Sequence, residues 1–256
     1  MTPETLFSLT PDTFFRKMTT SSKYLTLTAL SLAALFIVTS VCTAGVAVPD
    51  HVTTVETPVR ITVLTTGRFF AAGGRLVDIY LDDKHLKRIL TGGDGYGYLK
   101  YTPQSTGYKQ IKARSNGDSA EGLLLVMAKK DRAIAIEVED GFKTALFSDE
   151  IKQSSLKVVK TLSKTYKIIY LSRLAGKSIT GPWLEKQGFP RSVILKWQGS
   201  NTLKGLKERG VQIAAIIGSA AVISAAADSV DKRYTFDKTK EGTTVKNWDE
   251  IAGLLQ

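Results

Sequence analysis

Ala133-Ile134-Ala135-Ile136-Glu137-Val138-Glu139-Asp140-Gly141-Phe142 decides how the second half of this chain is read. Four apolar residues in a row, then three acids in four positions and a glycine, predict a buried strand that delivers carboxylates into a turn. Outward from this run, strand and helix patterns alternate. Tyr166–Leu171, Val193–Leu195, Val211–Ile217 and Arg233–Phe236 read as strands. Asp149–Leu162, Ser178–Gln187, Asn201–Arg209 and Ser219–Asp228 read as helices, two of them closed by Gly188 and Gly210. Such alternation predicts parallel β-α-β units with right-handed crossovers.

Upstream the texture is different. Val59–Leu64, Leu76–Leu81, Tyr98–Tyr101, Tyr108–Arg114 and Gly122–Ala128 are short strand-like runs separated by turn residues, among them Asp82-Asp83-Lys84 and the glycine-dense Gly92–Gly97. Short strands at this spacing predict a small antiparallel sandwich of immunoglobulin-like type. Asp82, Asp83 and Asp94 lack the spacing that converges oxygens on one calcium ion and read as turn formers.

The 256 residues carry a formal net charge of +11. Arg16, Lys17 and Lys23 against Glu4 and Asp12 give +1 before residue 49, so about +10 falls on the rest. Leu25 to Val48 holds no charge, is long enough to cross a bilayer as a helix, and has its cations on the N-terminal side. Two readings stand: a retained anchor, or a signal peptide cut near Gly45-Val46-Ala47. Both put the bulk of the protein outside the cytoplasm, in the periplasm or its equivalent. The retained-anchor reading makes it a single-pass protein of the cytoplasmic (inner) membrane with a cytoplasmic N-terminus. The boundaries that follow are a cytoplasmic tail over 1–23, a membrane segment over 24–48, a linker over 49–58, the sandwich over 59–130 and an α/β domain over 131–256. Cys42 is the only cysteine and His51 and His85 the only histidines, so no disulfide and no His/Cys metal cluster is expected. Scattered lysines without interleaved aromatics exclude a nucleic-acid motif, and the basic surface suits an anionic lipid or an acidic partner.

The stretch from Arg132 to Ile251 resembles the haloacid dehalogenase (HAD) superfamily, in particular its small phosphatase-like members. The resemblance rests on the opening strand and acid-glycine turn, and on Tyr170-Leu171-Ser172-Arg173, a strand ending in a phosphate-holding hydroxyl. It also rests on Gly188-Phe189-Pro190 after a helix, on Lys204 or Lys207 in the region of a phosphate-steadying lysine, and on Ile216-Ile217-Gly218-Ser219. It implies a HAD-like α/β (Rossmannoid parallel sheet) C-terminal domain behind an all-β Ig-like sandwich and a single transmembrane helix. That chemistry requires an attacking aspartate, a second acid two residues on, and magnesium held by further aspartates. Here Val138 stands at the nucleophile position if Asp140-Gly141 sets the register, and Ser219 replaces an expected acid.

The resemblance therefore implies a catalytically degenerate domain. Its vestigial site would comprise Glu137, Glu139, Asp140, Ser172, Lys204 and Lys207, with no cofactor. The function expected is a membrane-anchored, non-catalytic binding, scaffold or accessory subunit of a membrane complex. Two alternatives remain: a phosphatase using Glu137, Glu139 or Asp140 with magnesium, and a module that binds another anion.

Overall fold

The computed structural model describes residues 45–67, 70–145 and 148–255. Eight strands come first: β1 (Gly45–Ala47), β2 (His51–Thr54), β3 (Val59–Thr66), β4 (Leu76–Leu81), β5 (Lys84–Leu90), β6 (Tyr96–Tyr101), β7 (Gly107–Ser115) and β8 (Asp118–Met127). They form two sheets, ordered β1-β3-β6 and β2-β8-β7-β4-β5. Every second residue of β3 is buried, as a strand covered on one face requires. Ile61 and Val63 pack there against Val77, Ile79, Ile111, Ala113, Leu124 and Val126 of the opposite sheet. Two-residue turns set the registers. Asp82 and Asp83 (φ 48° and 61°) join β4 to β5, and Asn116-Gly117 (φ 50° and 85°) joins β7 to β8. Positive φ at both central positions is the turn whose twist matches a hairpin.

The remaining elements are β9 (Arg132–Glu137), α1 (Val138–Phe142), α2 (Ser155–Leu162), β10 (Lys167–Ser172), α3 (Lys177–Lys186), β11 (Val193–Lys196), α4 (Ser200–Glu208), β12 (Gln212–Ile217), α5 (Ala220–Ala225), β13 (Lys232–Thr235), β14 (Thr243–Thr244) and α6 (Trp248–Leu255). Their strands make one six-stranded sheet, β11-β10-β9-β12-β13-β14, parallel at every pairing. β9 is central, and its residues alternate between two cores. Ile134 and Ile136 join Phe142, Tyr170 and Trp248 on one side. Ala133 and Ala135 join Ile169, Leu171 and Ile216 on the other, and this second core also contains Val52, Leu123, Leu125 and Met127 of the sandwich. The sandwich thus covers part of one face of the parallel sheet.

Three expectations are corrected here. The described residues are mostly β, with 41% strand against 22% helix, so the α/β HAD-like fold class does not describe them. No helix among the described residues is long and apolar enough to cross a membrane. The expected span over 24–48 lies outside the described residues up to Ala44. Its last residues are instead strand β1, paired antiparallel with β3, followed by a core residue, Val48. The segment expected as a linker, 49–58, contains β2, which pairs in parallel with β8. Its threonines misled because Thr53 and Thr54 are buried yet satisfied: Thr53 Oγ1 donates to Thr57 O, and Thr54 Oγ1 to Arg209 O.

Candidate functional site

In an open parallel sheet the natural binding crevice lies beyond the C-terminal strand ends, where successive connections leave in opposite directions. Here that point falls between β9 and β12. The chain runs from β9 through β10 to β11 on one side, and from β12 through β13 to β14 on the other. Glu137 closes β9 at this point and is fully buried. Its Oε1 accepts a hydrogen bond from Arg173 Nε at 2.9 Å, and its Oε2 accepts the Ser219 backbone N–H at 2.6 Å. Gly218 makes room for it, because a Cβ there would stand 2.8 Å from Glu137 Oε2. Burial raises the Glu137 pKa above the ordinary glutamate value, against the opposing pull of the Ser219 amide and Arg173. Arg173 then reaches Asp140 Oδ2 at 3.1 Å, so one guanidinium ties two carboxylates across the crevice.

Glu139 is held in another way. The loop after β10 turns the N–H groups of Arg173, Leu174 and Ala175 inward, and they meet Glu139 Oε1 at 3.1, 3.0 and 3.3 Å. Ser172 Oγ donates to the same oxygen at 3.1 Å and lies 3.0 Å from Thr180 Oγ1. Successive inward N–H groups of this kind make an anion-binding concavity. Burial alone would raise the Glu139 pKa, but the hydrogen bonds from Leu174, Arg173 and Ala175 outweigh it and hold it below the usual value. The nest that could take a free anion is occupied by the chain's own carboxylate.

Of the residues expected to form a site, Glu137, Glu139, Asp140 and Ser172 are brought together. Lys204 and Lys207 are not: both are exposed on α4. The lysine beside the acids is Lys152, whose Nζ donates to the carbonyl oxygens of Asp140 (2.9 Å) and Lys143 (2.5 Å). Burial lowers its pKa, while Asp140, Asp237 and Glu137 act to raise it. Arg173 could have been found, since it directly follows Ser172. Nothing local marked Lys152. Among the described residues no group of three or more His, Cys, Asp and Glu is placed to hold a metal ion.

A second concavity of about 1040 Å³ lies between the sandwich and the parallel sheet, with Val46, Leu64, Tyr96, Leu184 and Phe189 among its walls. Asp50 and Lys177 stand at its edge, 2.6 Å apart. Asp50 joins the two sheets. Its Oδ1 accepts from Leu123 N (2.8 Å) and its Oδ2 from Ile194 N (2.9 Å).

No family model matches the chain, and no curated protein matches it. Solved structures resemble about a third of it. The CARDB domain of PF1109 from Pyrococcus furiosus is 19% identical over 32% of this chain and 93% of its own length, with a TM-score of 0.26. An IG27 protein domain is 13% identical over 33% and 96%, with a TM-score of 0.27. Domain I10 of titin is 10% identical over 32% and 98%, with a TM-score of 0.25. These neighbours are all-β, immunoglobulin-like or related domains, and none is of the haloacid dehalogenase class. The HAD resemblance is corrected: no family model of that class matches the chain, and what stands of that reading is the Ig-like sandwich of β1–β8.

Proposed function

We propose that this chain is a non-catalytic binding and scaffold module, an accessory part of a larger assembly. One observation carries the reading: each acid at the crevice is committed to a donor within the chain. Glu137 and Asp140 hold Arg173, and Glu139 fills the nest. A carboxylate held by several donors at a lowered pKa is a poor nucleophile and a poor base, and neither it nor Glu137 faces an open space.

The test is a magnesium-dependent phosphatase assay on the full chain and on Glu139→Gln and Asp140→Asn. No turnover by any of the three supports the module. Turnover by the parent that either substitution abolishes sinks it. Arg16, Lys17 and Lys23 before the apolar run, with Asp50 and Glu56 after it, favour a folded body outside the cytoplasm. Protease accessibility in intact cells checks that side. The excess of cations on the body favours an acidic partner or an anionic surface.

A further inference from the structure

On the outer face of sheet β1-β3-β6, Arg60, Thr62 and Leu64 of β3 stand directly opposite Lys100, Tyr98 and Tyr96 of β6. These positions alternate with the buried Ile61, Val63 and Gly97. Tyr96 and Tyr98 are 40% and 48% exposed, with their rings nearly parallel and their centroids 6.3 Å apart. Arg60 lies over the Tyr98 ring at 4.6 Å. None of the three strands contains an acidic residue. Neither Arg60 nor Lys100 makes an ion pair among the described residues. Like charges directly opposite each other on a sheet are destabilising, so this face holds a repulsion that an anionic group would relieve.

β6 is also the end strand of its sheet. Tyr96 gives its N–H to Asp94 Oδ1 (3.0 Å), and its carbonyl accepts the Gly92 N–H (2.8 Å), so its backbone groups point away from β3. Opposite Tyr98, Thr62 turns its N–H away from β6, to His51 Nε2 at 3.3 Å. Alternate residues of an antiparallel ladder point to the same side, so Tyr98 and Lys100 also turn their N–H and C=O groups to the open edge. Gly97 and Leu99 pair inward with Val63 and Ile61. An exposed edge of this kind is a template for another strand, and only a polypeptide supplies the backbone groups to match it. Lysine on an edge strand can serve simply to discourage pairing, but Arg60 is on the middle strand, where that protection is not needed. A second copy would bring β6 again, with its lysine and no acid.

We propose that β6 is a docking edge for an extended acidic segment of a partner protein, which adds as a further strand. Its backbone pairs with Tyr98 and Lys100, its outer-face carboxylates meet Lys100 and Arg60, and Tyr96 and Tyr98 supply rigid aromatic contact. The edge gives the binding reading above a surface and a partner chemistry, and rests on that reading.

The test is residue-resolved hydrogen–deuterium exchange on the full chain with a short peptide that alternates glutamate and valine. Exchange at the Tyr98 and Lys100 amides is expected to slow at millimolar peptide, while Leu99, already paired with β3, stays unchanged. A lysine–valine peptide is expected to have no effect. Arg60→Glu combined with Lys100→Glu should weaken the glutamate peptide by roughly tenfold and admit the lysine peptide. Lys100→Ala alone should weaken the glutamate peptide several-fold, which keeps the test decisive if the double variant folds poorly. No slowing at the two amides overturns the proposal, as does equal slowing by the lysine peptide or undiminished glutamate binding by the variants. Slowing that grows with protein concentration without peptide also overturns it, because a second copy then covers the edge. These amides judge the edge alone and phosphatase turnover judges the module, so the two readings fail separately.

Discussion

Asp50→Ala is the sharpest probe of how the sandwich is joined to the parallel sheet. The carboxylate is buried and accepts three hydrogen-bond donors, the amides of Leu123 and Ile194 and the ammonium of Lys177. Alanine leaves both amides without a partner, and a buried donor left unmade costs about 1–3 kcal/mol. Two of them bound the loss at roughly 2–6 kcal/mol. Asp50 borders an open concavity, so a water molecule can enter and bond one amide, which brings the expectation to about 3 kcal/mol. Lys177 adds little, because its Nζ keeps the carbonyl of Glu121 at 2.7 Å. Asp50→Asn retains one acceptor oxygen and should lose about 1–2 kcal/mol. Equilibrium urea unfolding, followed by tryptophan fluorescence, measures both. Asp149→Ala removes an exposed ion pair with Lys186 and serves as the reference, with no measurable change expected. Asp50→Ala within about 1 kcal/mol of that reference would refute the argument.

Arg173→Met leaves fully buried Glu137 without its cation and should destabilise by about 3 kcal/mol, with Glu137→Gln in the same chain recovering much of the loss; a double-mutant cycle measures the coupling. His51, whose ring nitrogen accepts the Thr62 N–H, has its pKa lowered from 6.5 to about 4 by burial and by nearby Arg209 and Lys177. The folded protein binds this proton less readily than the unfolded chain. Its contribution is therefore full above about pH 6.5 and is lost as pH falls toward 4, by about 1–2 kcal/mol once partial exposure of the ring is allowed for. His51→Gln should flatten that part of the pH–stability profile. Glu139, with its lowered pKa, also loses its contribution as pH falls, below the ordinary glutamate value of 4.5. Glu137, with its raised pKa, works the other way: its contribution is present below 4.5 and declines as pH rises. Glu139→Ala empties the nest of Arg173, Leu174 and Ala175. Phosphate should then raise the melting temperature of the variant and leave the parent unchanged, as differential scanning fluorimetry would show.

Periodicity made much of the architecture legible. Leu76–Leu81 is the strand its alternation predicts, and Lys177–Lys186 and Ser200–Glu208 lie within a residue or so of the expected helices. Asp82-Asp83 is legible as a turn from its chemistry, and Asn116-Gly117 is a hairpin signal in the sequence. β5 was not legible, because Lys84-His85-Leu86-Lys87-Arg88 on a sheet edge reads as polar on both faces. β1 and β2 were hidden by composition: an apolar run absorbed one and a threonine-rich stretch the other. Helix α2 begins at Ser155 and not at Asp149, since Lys152 is drawn down to the carbonyls of Asp140 and Lys143 and Ile151 bridges back to Lys143. At the site, sequence brought out the acids but not what neutralises them. A three-dimensional partner such as Arg173 to Glu137, 36 positions apart, has no local periodicity to announce it.

The same long-range bonds bear on what motion the molecule has available. Enzymes that work in a crevice between lobes usually close over the substrate through a hinge that few contacts cross. Here Val52, Leu123, Leu125 and Met127 of the sandwich share one core with Leu203, Leu206 and Val211 beside the parallel sheet. Arg209 Nε donates to Val52 O at 2.7 Å, and Thr54 Oγ1 returns a bond to Arg209 O at 2.9 Å. Opening that junction would expose the shared core and break these bonds together with those of Asp50, and packed cores yield in discrete steps and do not bend gradually. A body held in this way presents fixed surfaces. Any recognition by such a body would use side chains already exposed in the folded state, without a cleft that must close.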